Sequence, residues 1–300
     1  MHPALSMLIY GFVISAFALA VMLSVRTYMG PMMDEGAMDH MHGGGPMGAK
    51  LGMGPGSPMQ VMSRMVAVFP ALFAFSIVTI MMLRIAGYLG GRNLLNLMTA
   101  KYYRPVLEKR VFLFLDMIGS TALAERLGAL RTRALIGKFF FDISAPVSDT
   151  GGEIYRFVGD GIIAVWAWET AVTNNRIIRA IDLIRASVEA GREHYEREFG
   201  YVPQSRIGVH GDEIVTSEEG DTRRAIGFYG DAINIAARIE ALARDFEGQC
   251  LLSTAVVEAL ERPDARLKAL GTKRLHGISE PVALYVLQVR DETKVRSWCF

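Results

Sequence analysis

GGEIYRFVGDGIIAV, Gly151 to Val165, reads as two short strands folded back at a tight turn, with Asp160 at the tip. Ile154, Phe157 and Val158 precede the turn, and Ile162, Ile163 and Val165 follow it. Gly159 and Gly161 bracket the carboxylate, so the backbone can turn sharply and a ligand can come close. Upstream, FLFLDMIGST (Phe112 to Thr121) has a similar logic. An apolar strand ends in Asp116, and a small-residue turn then opens a helix. Two carboxylates at the ends of core strands form a candidate metal site.

The surrounding pattern is α+β. Val111 to Leu115 reads as a strand, and Thr121 to Leu127 and Thr132 to Val147 as helices. After the hairpin, one long amphipathic helix is expected from about Ala171 to Phe199, with Ile177, Ile178, Ile181 and Ile184 on one face. Ser205 to His210 and Glu213 to Thr216 read as a strand pair around Gly211-Asp212. Ala225 to Tyr229 is a further strand, Asp231 to Ala243 a helix, and Cys250 to Leu252 and Val282 to Val289 complete a sheet. Strand, helix, two strands, helix, strand is the ferredoxin-like order.

The first ninety residues differ in kind. The chain is 51% hydrophobic, and the excess sits there. Residues 4–25 carry no charge, long enough for a bilayer crossing of roughly 20 residues. Ala18-Leu19-Ala20 resembles a signal cleavage site, but no basic residue precedes the run, which favours a retained helix. A second uncharged run, Met65 to Leu83, gives a second span of about 65–85. Arg84, Arg92, Lys101, Arg104, Lys109 and Arg110 follow it and place the C-terminal side in the cytoplasm. The expectation is a multi-pass anchor in the inner (cell) membrane, in contact with lipid.

Between the spans, residues 27–64 form an outer loop with nine methionines and nine glycines between Met29 and Met62. Met38, His40, Met41 and His42 offer thioether and imidazole groups that suit a soft periplasmic metal. The same composition also describes a connector that binds nothing. The expected organisation is an anchor over 1–86, a linker over 87–107 with a short helix at Asn93 to Tyr103, a catalytic domain over 108–290 and a tail over 291–300. A formal charge of +1 gives no support to a nucleic-acid binder. Cys250 and Cys299 lack metal-ligand spacing and read as ordinary thiols.

FLFLDMIGST, GGEIYRFVGDG and GDAINIAARIE (Gly230 to Glu240), in this order, resemble the catalytic domain of class III nucleotidyl cyclases, the adenylate and guanylate cyclases. The resemblance covers about Glu108 to Val289. It implies that Asp116, Asp160 and the backbone carbonyl of Met117 hold two divalent cations, Mg2+ or Mn2+. The reaction implied is attack of a ribose 3′-oxygen on the α-phosphorus, with pyrophosphate leaving. The turn Ile118-Gly119-Ser120-Thr121 opens a helix and can offer N–H groups to the triphosphate. Asn234 and Arg238 lie four residues apart on one helix face. The resemblance makes Asn234 the ribose-orienting group and Arg238 the stabiliser of charge at phosphorus. It further implies a head-to-tail homodimer, because the metal carboxylates and this Asn/Arg pair come from different subunits.

Departures from the family pattern fall on the base. Arg156 stands where adenylate cyclases carry lysine, and Gly227 where they carry Asp or Thr. A cationic donor suits adenine N1, while arginine also pairs with guanine O6 and N7. ATP is the expected substrate, with GTP, or an inactive nucleotide-binding dimer, as alternatives. Lys273, Arg274 and His276 lie near the family's triphosphate lysine without aligning to it.

Overall fold

β1 (Val106–Met117) is the strand around which the other elements assemble. Val111, Leu113 and Leu115 point to one side of the sheet, and Phe112 and Phe114 to the other. Both faces are covered, so the strand reads as an unbroken apolar run. Burying each of its large side chains stabilises the fold by roughly 1.5–3 kcal/mol.

The computed structural model describes residues 73–83, 101–220, 225–246, 250–278 and 280–288. The chain divides into two units, Met1–Leu95 and Asn96–Phe300. In the first, residues 73–83 form a helix, α1, whose Phe73, Phe75, Ile77, Val78, Ile80, Met81 and Met82 are exposed. Among the described residues no helix is long and apolar enough to cross a membrane. The span over 4–25, the loop with Met38, His40, Met41 and His42, most of the linker helix and Cys299 lie outside the described residues. The described end of that linker, Lys101 to Tyr103, is a turn rather than helix.

The second unit continues from β1 with α2 (Ser120–Leu127), α3 (Ala129–Asp149), β2 (Glu153–Val158) and β3 (Gly161–Ala167). Next come α4 (Trp168–Val172), α5 (Arg176–Ala190), α6 (Arg192–Phe199), β4 (Ser205–Glu219) and β5 (Ala225–Tyr229). α7 (Asp231–Leu242), β6 (Cys250–Ser253), α8 (Thr254–Glu258), β7 (Leu267–Lys273) and β8 (Val282–Leu287) complete it. The sheet order is β2-β3-β1-β4-β6-β8-β7, with β5 paired to β4. Its β2-β3-β1-β4 half has the expected ferredoxin-like order, and only β4 and β6 run parallel. Helices α3, α5 and α6 pack on one face, while α7 covers part of the other.

Two expectations are corrected, and one strand is added. The long helix after the hairpin is broken twice. Asn174 and Asn175 both adopt left-handed backbone, and the Asn175 amide exchanges hydrogen bonds with the backbone of Arg262. Gly191 makes the second break, between α5 and α6. The strand pair around Gly211-Asp212 is one continuous strand, β4. Gly211 gives close packing there instead of a turn, since a Cβ would lie 2.9 Å from both the Arg110 carbonyl and the Trp168 ring. Finally, β7 forms a strand from a stretch whose half-exposed pattern gave no strand signal.

Buried polar groups fall into place around this frame. Pro146 inside α3 lacks the N–H that would bond the Asp142 carbonyl, and the Ser187 hydroxyl donates to that carbonyl instead at 2.8 Å. His210 is buried, with Nδ1 2.8 Å from Ser253 Oγ, and burial pulls its pKa down to about 4. Burial pushes the Cys250 thiol up to about 12, which makes it an inert core residue.

Candidate active site

Asp116 sits one residue before the end of β1, and Asp160 caps the β2–β3 turn. Pairing of Leu115 with Ile162 carries the hairpin tip to the end of β1. Gly159 takes the left-handed conformation that the turn needs. Gly161 has a different task. A Cβ on it would run into the Leu115 carbonyl and lie 3.3 Å from the Asp116 Cα and Oδ1. The closeness anticipated at this glycine is therefore to the other carboxylate's own backbone.

The two acids face each other. Asp116 is raised above the usual carboxylate range, first by burial and then by the neighbouring Asp160 charge, which outweigh Arg206. Arg206 is the cross-strand partner of Asp116, and its terminal nitrogen donates to Asp116 Oδ2. Its Nε donates to Glu240 of α7 at 2.9 Å. Glu240 is itself raised, by burial first, with Asp116 adding to the effect. Asp116 and Glu240 thus share one guanidinium with Asp160 beside them, an excess of oxygen donors that suits hard divalent cations. Met117, the last residue of β1, presents its backbone beside this pair, and its side chain is buried.

The turn after Met117 is pinned from outside. Ile118 N–H donates to the Gln204 carbonyl at 2.8 Å, and the Tyr201 hydroxyl donates to the Ile118 carbonyl at 2.8 Å. Ile118 is therefore an anchor, and the N–H groups the turn can offer a triphosphate are those of Gly119, Ser120 and Thr121. Gly119 holds the left-handed conformation at the start of α2.

Asn234 and Arg238 lie on the exposed face of α7, opposite the buried Ala232, Ala236 and Ile239. The strongest charges on Asp116 are those of Asp160 and Arg206. The carboxylate pair thus lies at strand ends, and the Asn/Arg pair on the outer face of α7.

Arg156 owes its direction to a β-bulge. Ile154 pairs with Ala164, but Arg156 pairs with Ile163, leaving Tyr155 as the extra residue. Simple alternation would put Ile154 and Arg156 on one face, and the bulge separates them. Phe157 packs on Phe140 of α3 with ring centroids 4.8 Å apart, while Arg156 shares the other face with Ile163 and lies over the Tyr155 ring. Tyr155 meets Phe228 of β5 edge-on at 4.8 Å.

Gly227 lies next to Phe228, and the space beside its Cα is taken. A Cβ built there would fall on the Glu219 carboxylate from β4. The Tyr229 hydroxyl is hydrogen-bonded to the same carboxylate, which holds the phenol above its usual range. Lys273 ends β7, the edge strand farthest from β2, with Arg274 and His276 just beyond it.

Sequence reasoning missed Arg206, Glu240, Tyr201 and Glu219. Only the first had a usable signal, a lone arginine opening the apolar strand RIGVH.

Residues 103–289 match the family model described as the adenylate and guanylate cyclase catalytic domain. The chain is 36% identical over 232 residues to adenylate cyclase 2 of Rhizobium meliloti, covering 75% of this chain and 64% of that protein. It is 24% identical over 185 residues to the adenylate cyclase of Anabaena cylindrica, covering 59% of this chain and 36% of that protein. The chain thus spans less than two thirds of either relative. Among solved structures, a bacterial light-regulated adenylyl cyclase superposes with a TM-score of 0.62 at 19% identity, covering 77% of this chain and 68% of the other. The adenylyl cyclase CyaB from P. aeruginosa gives 0.53 at 22%, covering 63% and 98%. A guanylyl cyclase, Cya2, gives 0.51 at 22%, covering 63% and 96%. At these identities the likeness is one of fold, and it extends to cyclases of both bases.

Proposed function

Because this chain belongs to the adenylate and guanylate cyclase catalytic domain family, we propose that it converts ATP to 3′,5′-cyclic AMP and pyrophosphate as a homodimer. The observation that carries this reading is the convergence of Asp116 and Asp160 at adjoining strand ends, with burial and mutual repulsion favouring a dication between them. Asp116, Asp160 and the Met117 carbonyl would hold two Mg2+ or Mn2+ ions. Bound there, such ions supply Lewis-acid stabilisation of the attacking and leaving oxygens.

The chain's own residues do the rest. Gly119, Ser120 and Thr121 direct backbone N–H groups at the triphosphate from the start of α2. Arg206, which donates to Asp116 and Glu240, would supply a positive charge beside the triphosphate. Asn234 orients the ribose, and Arg238 of the same helix stabilises charge growing at phosphorus. In the cyclase reading this pair comes from a second copy of the chain, and the exposure of Asn234 and Arg238 on α7 leaves them open to one. Two copies related by a twofold axis complete two equivalent sites. Arg156 faces the base with a donor that matches adenine N1.

The uncharged runs over 4–25 and 65–83 support a membrane anchor with the catalytic unit on the cytoplasmic side. The exposed apolar side chains of α1 are consistent with lipid contact. The full chain, purified in detergent and given Mn2+ with equimolar ATP and GTP, tests the catalytic reading. Cyclic AMP as the main product, lost in Asp160→Ala, is the expected result. Cyclic GMP alone would reassign the base, and nucleotide binding without turnover would make the domain a binding module.

A further inference from the structure

Gly227 leaves one wall of the base pocket without a side chain, and the chain fills that wall from another strand. Glu219 pairs with Ala225, and its carboxylate leans back along β5 over Gly227. A Cβ at position 227 would meet this carboxylate where it lies, so a side chain there would push the Glu219 group aside. The Tyr229 hydroxyl, two residues on, is hydrogen-bonded to the same carboxylate. Glu219 and Tyr229 are both exposed, so the group is held in place while open to a ligand. A carboxylate has roughly four acceptor sites, and the phenol uses one of them.

We infer that Glu219 is the specificity-determining acceptor for the nucleobase, taking a hydrogen bond from the 6-amino group of adenine. The assignment rests on the cyclase reading above, in which Arg156 and Gly227 border the base. It gives the pocket a complementary pair, a donor from β2 for ring N1 and an acceptor from β4 for the adjacent amine. Neither position alone separates the purines. The two together match the donor and acceptor order along the adenine edge. The same carboxylate explains why Gly227 works as glycine: the recognising oxygen arrives through the space that a side chain there would occupy.

The test compares ATP with purine riboside triphosphate, which lacks only the 6-amino group, on the full-length protein with Mn2+. Wild type is expected to favour ATP in kcat/KM by about tenfold or more, the usual weight of a hydrogen bond to a charged group. Glu219→Ala is expected to bring the two substrates to near parity, chiefly by losing ATP turnover. Loss of a merely structural side chain would slow both substrates alike and leave their ratio unchanged. In the double variant Glu219→Ala/Gly227→Asp, a carboxylate grows from β5 into the vacated space, and the preference for ATP is expected to return. A Glu219→Ala enzyme that keeps the wild-type ratio overturns the assignment while leaving the cyclase reading intact. A wild type that forms no cyclic product from any nucleotide overturns the cyclase reading itself, and the assignment with it.

Discussion

Arg206 and Asp116 are direct cross-strand partners, and the guanidinium that grips Asp116 also reaches Glu240 on α7. One cation thereby ties the end of β1 to the helix that carries Asn234 and Arg238. Arg206→Ala removes the ion-pair partner of Asp116, which is left facing Asp160, and the hydrogen-bonded cation of Glu240. A loss of about 2 kcal/mol at pH 7 is expected, below the usual cost of breaking a fully buried pair because these groups are partly exposed. The loss should shrink toward pH 4, where the raised carboxylates take up protons. Thermal unfolding with and without Mn2+ checks both points, and Mn2+ should raise the variant's melting temperature more than that of wild type.

Gly161→Ala tests whether the two carboxylates must be this close. The added methyl meets the Leu115 carbonyl and Asp116, so the hairpin tip has to move. At least a tenfold loss of activity is expected, since an error of about 1 Å in positioning costs on that order or more. Circular dichroism should stay native, because only the tip is displaced. Wild-type activity in this variant would mean that the acids need not converge.

Mixing two inactive variants separates the half-sites. Asp116→Ala and Asn234→Ala should each be inactive alone. Refolded or coexpressed in equal amounts, they should regain roughly a quarter of wild-type activity, because half the dimers then hold one intact site of two. No recovery in dimers of confirmed mixed composition would place all the catalytic groups within one chain.

His210 gives the catalytic unit an acid-sensitive core. Its folded pKa, about 4, lies below the unfolded value of 6.5, so the unfolded state binds the proton first. The sign follows: its contribution is whole above pH 6.5 and is lost progressively as pH falls toward 4. Between pH 7.5 and 5 the linkage amounts to about 2 kcal/mol. Urea unfolding at these two pH values should show it, and His210→Asn should flatten the difference.

Much of this site could be read in the sequence because it rests on short local signals. An apolar run ending in Asp116, a Gly-Asp-Gly tip at Asp160 and the i, i+4 spacing of Asn234 and Arg238 each lie within one element. Features that depend on register could not be read in that way. Arg206 gains its role from the residue opposite it on β1, and Glu219 from leaning over Gly227 on a neighbouring strand. The long helix was expected because its apolar period carries through Asn174, Asn175 and Gly191, and period alone does not reveal two left-handed asparagines. Gly211 looked like a turn because glycine has two uses, and only the packed Trp168 distinguishes them.

The bulge at Tyr155 has a consequence for how substrate choice can change in descendants of this chain. β2 is an edge strand, so an insertion or deletion within it disturbs the ladder with β3 alone. Losing one residue between Arg156 and Asp160 would close the bulge, set Tyr155 opposite Ile163 and Arg156 opposite Ile162, and so turn Arg156 toward α3, with Asp160 left in place. Selectivity here is open to revision by a shift in reading frame along one strand, a larger jump than any single substitution. Relatives of differing base preference are therefore best compared by the residue count between Gly151 and Asp160, before the identity of any residue in between.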